Sequence, residues 1–433
     1  MKAKIKFLLN SQLIKVSSFT TISTFIKIVA TFISAKVLAV FTGPAGVALL
    51  GQLTNFITIL IQVSTAATGT GIVKLTGEFK EDTSQLKKVI DTSFTINLLF
   101  SVIVLIGIFL FQNQLTLFVF NDLKYKWLLY FIAIGTPFIA INNFILSVIS
   151  GLQHFKKYVI INIFASIISV LLTVCLVYFY TIDGALLAYI LTQTIIFFVS
   201  LFYSKSVQWR ENITFHIDKT IVKKLSHFSL YVIVSAFCFP FAQILVRNLI
   251  IDKLGMDSAG IWEGTNRISS MYLLLISSAI GVYFFPKISN LKTIQEVNKE
   301  LSFALKIFLS ATIIAGFLTF LLQDFIIYIA LTKKFLPINK ILYIQIIGDV
   351  FLIAKMLFSM VLLSRDKTKI MMFSEIIFTS IYISLNYVFI SEFQSLKSII
   401  WAYPIYTFLY FISLFVFYKK INNKIFSNEI EVL

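Results

Sequence analysis

The chain has 433 residues, of which 58% are apolar and only 13% are charged. A soluble domain is typically about 45–50% apolar and about 25% charged, and its interior is too small to bury this much hydrocarbon. The composition therefore excludes a soluble enzyme, a secreted disulfide scaffold and a disordered chain. It indicates a protein with many membrane-spanning segments.

The net charge is +17, from 37 basic and 20 acidic side chains. In a soluble protein such an excess suggests nucleic acid binding, but no nucleic-acid-binding pattern accompanies it. Basic residues of membrane proteins concentrate in cytoplasmic loops. We therefore expect no nucleic acid partner and attribute the charge to loops on one side of a membrane.

Twelve apolar runs of about 20 residues predict membrane-spanning helices, because lipid offers no partner for unpaired backbone groups. The run from Leu98 to Phe111 does not alternate as a barrel strand does. We predict an all-α polytopic membrane protein with two six-helix lobes around a central cavity. The predicted spans are 14–37, 44–68, 89–111, 127–149, 159–180, 184–203, 225–250, 259–285, 303–323, 338–363, 370–390 and 398–418.

Loop charge and loop length predict the orientation and the domains. Lysine and arginine are several times more frequent in alternate connecting segments, which places both termini in the cytoplasm. The longest interior polar stretch, 204–224, predicts a cytoplasmic linker between lobes at 1–203 and 225–418, with a cytoplasmic tail at 419–433. Transporters often contain such repeats, with the substrate site at their interface.

The sequence lacks the motifs of cofactor chemistry. It has no Gly-x-x-x-x-Gly-Lys-Ser/Thr phosphate loop and no His-Glu-x-x-His zinc spacing. We therefore expect no cofactor, no metal and no catalytic residue. Transport would draw on ion gradients or on the free energy of the cargo itself.

Basic side chains at membrane depth are costly and usually face a wet cavity or a partner. Lys27 lies within a stripe of serines and threonines in the first span, which favours cavity lining over a snorkelling side chain. Arg247 lies near the outer end of the seventh span, as a functional cation or as an interfacial anchor, and Lys355 lies in the tenth span. Glu263 and Arg267 are four residues apart, either as a self-neutralised pair or as a cation held for an anionic ligand.

Two acids and two amides complete the predicted site. Asp349 and Glu375 are predicted as proton or sodium sites, or as counter-charges for the bases. Gln52 and Asn55 share a helical face and suit sugar hydroxyls or hydrogen bonds between helices. Bases outnumber acids at this depth, so the cavity should attract an anion. Arginine and lysine suit phosphate in particular.

Short motifs along most of the chain resemble, in order, those of Wzx-type lipid-linked oligosaccharide flippases. Within this group they are most similar to the enterobacterial common antigen flippases. The motifs are Phe25–Ile28, Lys36–Val40, Gly43–Gly46, Asp183–Leu187, Gly260–Gly264, Val282–Pro286, Asp324–Phe325, Lys334–Phe335 and Gln345–Val350.

This resemblance implies membership of the multidrug/oligosaccharidyl-lipid/polysaccharide exporter superfamily. It implies a flippase of the bacterial inner membrane that moves undecaprenyl-pyrophosphate-linked oligosaccharide from the cytoplasmic to the periplasmic leaflet by alternating access. The pathway would be that of O-antigen, a part of lipopolysaccharide, or of a related surface polysaccharide. Expected partners are the lipid bilayer, a polysaccharide polymerase and a chain-length regulator, and Lys27 carries over as a lumen cation.

Two alternative functions fit the sequence less well. A cation-coupled multidrug exporter of the same superfamily should have an acidic and aromatic cavity, which the bases of spans one, seven and eight argue against. A membrane enzyme acting on polyprenyl-linked sugars usually needs a large loop outside the membrane. The outer loops of this chain are too short for one.

Overall fold

A computed structural model describes residues 12–205 and 214–425, and every regular element in these ranges is helical. The predicted linker 204–224 and tail 419–433 extend partly outside the described residues. The long helices are joined by short 3-10 segments at Leu123–Tyr125 and Lys333–Lys340 and by a π segment at Ile280–Phe284. The α-helices are α1 Gln12–Ser64, α2 Gly69–Glu78, α3 Thr83–Leu110, α4 Gln112–Phe120, α5 Lys126–Gly151, α6 Phe155–Ser204, α7 Lys219–Leu254, α8 Met256–Ala279, α9 Phe285–Asn290, α10 Ile294–Leu321, α11 Gln323–Ala330, α12 Leu342–Ser364, α13 Thr368–Phe393 and α14 Leu396–Ile425.

Ten segments of the described chain are long and apolar enough to cross a membrane, judged by length and composition. Two of them, of 40 and 50 residues, are each long enough for two spans, because one span takes about 20 residues. The helical backbone of these two is interrupted, α1 at Gly43 and α6 at Thr181. The ten segments therefore supply twelve spans, which confirms the predicted all-α polytopic fold.

The break in α1 follows from its sequence. Gly43 has φ of 64°, a left-handed value that glycine adopts without the steric cost of a side chain. Pro44 follows it and has no backbone N–H to continue the preceding helix. The Gly43–Pro44 pair therefore ends one span and begins the next.

The chain forms two compact units. The first comprises Met1–Thr42 and Leu49–Phe241, and the second comprises Gly43–Ala48 and Ala242–Leu433. The core of the first unit brings together α2, α3, α5, α6 and the start of α7, with Ile72, Val89, Phe144, Ile196 and Leu225 all buried. In the second unit α12 packs on α14, and α13 packs on the same helix.

Within the first unit, hydrogen bonds connect the segment that precedes α7 to α3. The carboxylate of buried Asp91 accepts the Thr214 backbone N–H at 3.1 Å and the Thr214 hydroxyl at 2.6 Å. The Asp218 N–H donates to the Thr92 hydroxyl at 3.0 Å. The Asp218 carboxylate accepts the N–H groups of Ile221 and Thr220, which lowers the pKa of this carboxyl and caps α7.

We expect Asp91→Ala to lower the free energy of unfolding by about 1–3 kcal/mol, because the two donors of Thr214 then lose their acceptor. Chemical unfolding of the detergent-solubilised protein measures this loss, and amide hydrogen exchange at residues 214–225 should accelerate. Asp122→Ala is the matched control, since Asp122 accepts only exposed, local bonds from Lys124. Unchanged amide exchange at residues 214–225 in the Asp91→Ala variant would contradict the view that Asp91 holds this segment against α3.

Candidate functional site

The predicted pair of the eighth span is part of a three-residue ion cluster in the second unit. Arg247 on α7 donates through Nη2 to Oε2 of Glu263 at 2.6 Å. Arg267, one turn further along α8 than Glu263, donates through Nε to Oε1 of the same carboxylate at 3.0 Å. The Arg247 guanidinium also lies 5.1 Å from the ring centroid of Trp262, a distance at which aromatic rings attract cations.

This ion cluster carries an excess positive charge, because two guanidinium groups share one carboxylate. Arg247 is only 1% exposed, whereas the Arg267 side chain is 21% exposed. No other hydrogen bond of Arg267 is found in the described part of the chain. Its two terminal nitrogens can therefore donate to an anion in the paired geometry that suits phosphate.

The structure brings together Lys355 and Glu375, which lie on different helices. Lys355 Nζ on α12 lies 3.4 Å from Oε1 of Glu375 on α13. It also lies 4.2 Å from the ring centroid of Tyr410 on α14. Glu375 is therefore a counter-charge for Lys355 in this arrangement, which was one of the two roles predicted for it.

Asp349 lies fully buried on α12 and accepts hydrogen bonds from two other helices, α8 and α14. The hydroxyls of Ser269 and Tyr272, both on α8, donate to Oδ2, and the hydroxyl of Tyr403 donates to Oδ1 at 3.0 Å. The Gln345 side chain, one turn before Asp349, also lies within hydrogen-bonding reach. No basic side chain pairs with Asp349 among the residues that the structure describes, so its charge is balanced only by dipoles.

The close packing around Asp349 depends on the glycine beside it. A side chain added at Gly348 would meet the ring of Tyr403 and lie 3.3 Å from the Pro404 Cα. Because Gly348 has none, α14 approaches α12 closely enough for the Tyr403 hydroxyl to reach the Asp349 carboxylate. The motif Gln345–Val350 thus supplies the acid and the glycine that lets Tyr403 reach it.

The predicted residues of the first unit lie on α1. Lys27 is exposed and forms no ion pair with any described residue. Gln52 is buried and Asn55 is half-buried. Of the predicted cations, Lys27 is thus the one without an ion pair in the described chain.

A polar cavity in the first unit was not predicted from the sequence. It has a volume of about 130 Å³ and is lined by neutral side chains that include Gln62, Asn97, Asn143 and Ser147. This is room for about four waters at about 30 Å³ each, and it is smaller than the about 300–1,000 Å³ of a typical ligand pocket. Asn97 is buried, and its Oδ1 has no hydrogen-bond partner among the described residues.

Buried tyrosines are the functional candidates that sequence reasoning missed. Tyr382 on α13 and Tyr406 on α14 lie with ring centroids 5.1 Å apart. The signal was present in the sequence, because Tyr403, Tyr406 and Tyr410 recur at helical spacing on one face of a predicted span. In the described ranges, no three His, Cys, Asp or Glu side chains lie together as a metal site.

Comparison with known proteins assigns this chain to a family. The sequence profile of a family described as polysaccharide biosynthesis protein matches residues 48–340. The chain is 27% identical over 366 residues to the Lipid III flippase of Escherichia coli (strain K12). It matches the Lipid III flippase of Shigella flexneri to the same extent. Each alignment covers 84% of this chain and 88% of the relative.

Solved structures of similar fold are transporters. An inward-facing multidrug resistance MATE transporter of the MOP superfamily aligns with a TM-score of 0.77 and 15% identity over 92% of this chain and 94% of that one. An outward-facing MATE structure gives 0.70 and 16% over 96% and 97%. A MOP superfamily transporter from Pyrococcus furiosus, whose structure is described as having a binding pocket of reverse polarity, gives 0.62 and 14% over 93% and 95%.

The comparisons confirm the resemblance to Wzx-type flippases that the sequence motifs indicated, and the named relatives are flippases and transporters rather than enzymes. The profile match spans well over half of the chain. The chain therefore belongs to this family of polysaccharide biosynthesis proteins.

Proposed function

We propose that the protein is a flippase that moves undecaprenyl-pyrophosphate-linked oligosaccharide from the cytoplasmic to the periplasmic leaflet by alternating access. The observation that carries the proposal is the ion cluster of Arg247, Glu263 and Arg267, in which one carboxylate serves two guanidinium groups. A cationic drug would be repelled by this excess charge. A pyrophosphate would be attracted to it, and Arg267 has donors left to bind it.

The pyrophosphate, the sugars and the polyprenyl tail of the cargo differ in charge and polarity, so each is bound in a different environment. In the second unit, Arg267 donates to a phosphate oxygen of the cargo. In the first unit, Lys27 donates to a phosphate oxygen, and the neutral side chains of Gln52 and Asn55 form hydrogen bonds with sugar hydroxyls. The polyprenyl tail remains in lipid, because burying its hydrocarbon in a polar cavity would cost free energy. The 27% identity to the Lipid III flippases supports a cargo of this class.

The membrane potential favours the proposed direction. The exterior of a bacterial cell is positive, and each charge that crosses is worth about 2.3 kcal/mol per 100 mV. Outward movement of an anionic headgroup without a counter-ion therefore lowers its free energy. Cation coupling through Asp349 or Glu375 adds a second source of free energy.

We propose the bacterial inner membrane as the location, with both termini in the cytoplasm, because the basic connecting segments fall on the side of the termini. The pathway is that of O-antigen or a related surface polysaccharide. A polysaccharide polymerase and a chain-length regulator would act on the cargo after it has crossed. Fusing a reporter enzyme to each terminus tests the orientation.

Lys27→Ala should lower the initial rate of glycolipid translocation in proteoliposomes by about tenfold to a hundredfold. This is the effect of losing one charge-assisted hydrogen bond of about 1.5–3 kcal/mol to the phosphate. Lys36→Ala is the matched control, because Lys36 lies on the same helix at the end of the predicted span 14–37, where a lysine side chain can reach the interface. Translocation at the wild-type rate by a well-expressed Lys27→Ala variant would remove Lys27 from the site.

The same preparation tests the function itself. Wild-type protein should move undecaprenyl-pyrophosphate-linked oligosaccharide across the bilayer and should give no drug resistance to a sensitised host. Drug resistance without glycolipid translocation would overturn the flippase proposal in favour of a multidrug exporter.

A further inference from the structure

Helix α13 carries a buried polar stripe that is separate in sequence from the ion cluster of Arg247, Glu263 and Arg267. Glu375, Thr379, Tyr382 and Asn386 are spaced by four, three and four residues, so they lie on one face, and all four are buried. At about 1.5 Å per residue the stripe is about 16 Å long. This is about half of the roughly 30 Å hydrocarbon core of a bilayer.

A second polar stripe lies on helix α14 and faces the stripe on α13. Tyr403, Tyr406 and Tyr410 are buried on one face of α14, and α13 packs against this helix. The ring centroids of Tyr382 and Tyr406 lie 5.1 Å apart, and those of Tyr406 and Tyr410 lie 6.1 Å apart. We call these seven residues of the two helices the polar seam.

A carboxylate lies at each end of the line of tyrosines on α14. The hydroxyl of Tyr403 donates to Oδ1 of Asp349 at 3.0 Å. At the other end, Lys355 Nζ lies 4.2 Å from the centroid of Tyr410 and 3.4 Å from Oε1 of Glu375. The groups that face Asp349 from the other helices are neutral donors, and Lys355 is the charged group that faces Glu375.

Two atoms of the polar seam have unused hydrogen-bonding capacity. Thr379 Oγ1 and Asn386 Oδ1 are buried, and neither has a hydrogen-bond partner among the described residues. An unsatisfied buried polar atom costs about 1–3 kcal/mol, so a protein that needed only helix packing would do better with apolar residues here. Buried sites of this kind normally hold water.

We infer that the polar seam conducts protons between Asp349 and Glu375, so that the two carboxyl groups act in series in one proton-coupled transport cycle. This inference rests on the proposed transport function and names its coupling ion. A proton leaves the Asp349 carboxyl for a neighbouring hydroxyl or water oxygen. Each hydroxyl or water oxygen along the seam gains one proton as it passes its own on, and the Glu375 carboxylate receives the last. The Asn386 amide oxygen carries no proton and only accepts a hydrogen bond from one of these oxygens.

Protonation of Glu375 has a consequence for the cargo. A neutral Glu375 no longer balances the ammonium of Lys355, so Lys355 then favours an anion. Release of the proton restores the ion pair and weakens the hold on that anion. Proton movement and the binding of an anion at Lys355 are thereby linked.

The experiment measures proton flux into proteoliposomes that contain the full-length protein and an internal pH dye, with the membrane potential clamped by potassium and valinomycin. Flux is recorded under an imposed pH gradient with and without undecaprenyl pyrophosphate carrying one N-acetylhexosamine. We expect Thr379→Val and Tyr406→Phe to lower it by at least about tenfold, equal to about 1.4 kcal/mol of barrier. Tyr387→Phe on the exposed face of α13 is the matched control and should leave the flux unchanged.

Stability separates conduction from a structural role. Thr379→Val removes an unpaired hydroxyl and keeps the shape of the side chain, so it should unfold at the wild-type temperature or above it. A purely structural seam predicts no loss of flux in this well-folded variant. Wild-type flux in both Thr379→Val and Tyr406→Phe would overturn the inference.

The outcomes for wild-type protein distinguish the inference from the function on which it rests. Translocation of the glycolipid probe without proton flux would overturn the proton seam and leave the flippase function standing. Proton flux that Thr379→Val abolishes, in a protein that moves no glycolipid, would support the seam and overturn the flippase function.

Discussion

Glu263→Leu should lower the free energy of unfolding by about 3–5 kcal/mol, the cost of leaving a buried charge without its partner. Arg247 is 1% exposed and bonds to Glu263 at 2.6 Å, so its guanidinium would remain buried at membrane depth with the compensating acid removed. Arg267 loses less, because its partly exposed side chain can turn toward solvent. Chemical or thermal unfolding of the detergent-solubilised protein measures the loss.

A double-mutant cycle isolates the role of charge in this prediction. Adding Arg247→Met to Glu263→Leu removes the guanidinium that has lost its carboxylate, so the double variant should recover much of the lost stability. Glu263→Gln is the second variant, since an amide keeps a hydrogen-bond acceptor but not the charge. A Glu263→Leu variant as stable as wild type, or no recovery in the double variant, would contradict the view that Glu263 compensates Arg247.

The spans were predictable because their signal is local. A run of apolar residues determines a membrane helix by itself, since every backbone bond is made within the segment. The two longest helices show how local residues also divide a run. Gly43 and Pro44 interrupt α1, and the break at Thr181 falls between the predicted spans 159–180 and 184–203.

The pairing of charges was only partly predictable, because it depends on how the helices are rotated about their axes. Glu263 and Arg267 are one helical turn apart, and this spacing alone predicts their bond. Arg247 is on another helix, and nothing in its own segment indicates that it shares the same carboxylate. The pair of Lys355 with Glu375 likewise joins two helices, and only the tertiary structure shows it.

The surroundings of Asp349 were the least predictable part of the site. Ser269, Tyr272 and Tyr403 come from two other helices, and their sequence positions carry no signal of convergence. The nearest local clue is Gly348, whose small size admits the Tyr403 ring. Polar side chains at helical spacing in a span predict that a face is not lipid-exposed, but they do not say which acid that face will meet.

Asp349→Asn should lower the rate of proton-coupled glycolipid translocation by about a hundredfold or more, the effect expected when a proton-transferring group is lost. The amide cannot take up a proton at ordinary pH, yet it keeps the shape of the side chain and one oxygen for the hydroxyls of Ser269, Tyr272 and Tyr403. Binding of undecaprenyl pyrophosphate should therefore stay near the wild-type level while pH-gradient-driven translocation fails. Translocation assays with and without an imposed pH gradient measure this difference.

Asp349→Leu should behave differently from Asp349→Asn, because it leaves several buried donors without an acceptor at about 1–3 kcal/mol each. We expect Asp349→Leu to fail in stability and Asp349→Asn to fail in coupling. Asp257→Asn, at an exposed position on α8, is the matched control and should change neither stability nor coupling.

Replacing sodium with choline during the wild-type assay identifies the coupling ion. Proton-coupled translocation keeps its rate in choline, whereas sodium-coupled translocation loses it. Full gradient-driven translocation by a stable Asp349→Asn variant would exclude Asp349 as the carrier and leave Glu375, beside Lys355, as the acid to examine.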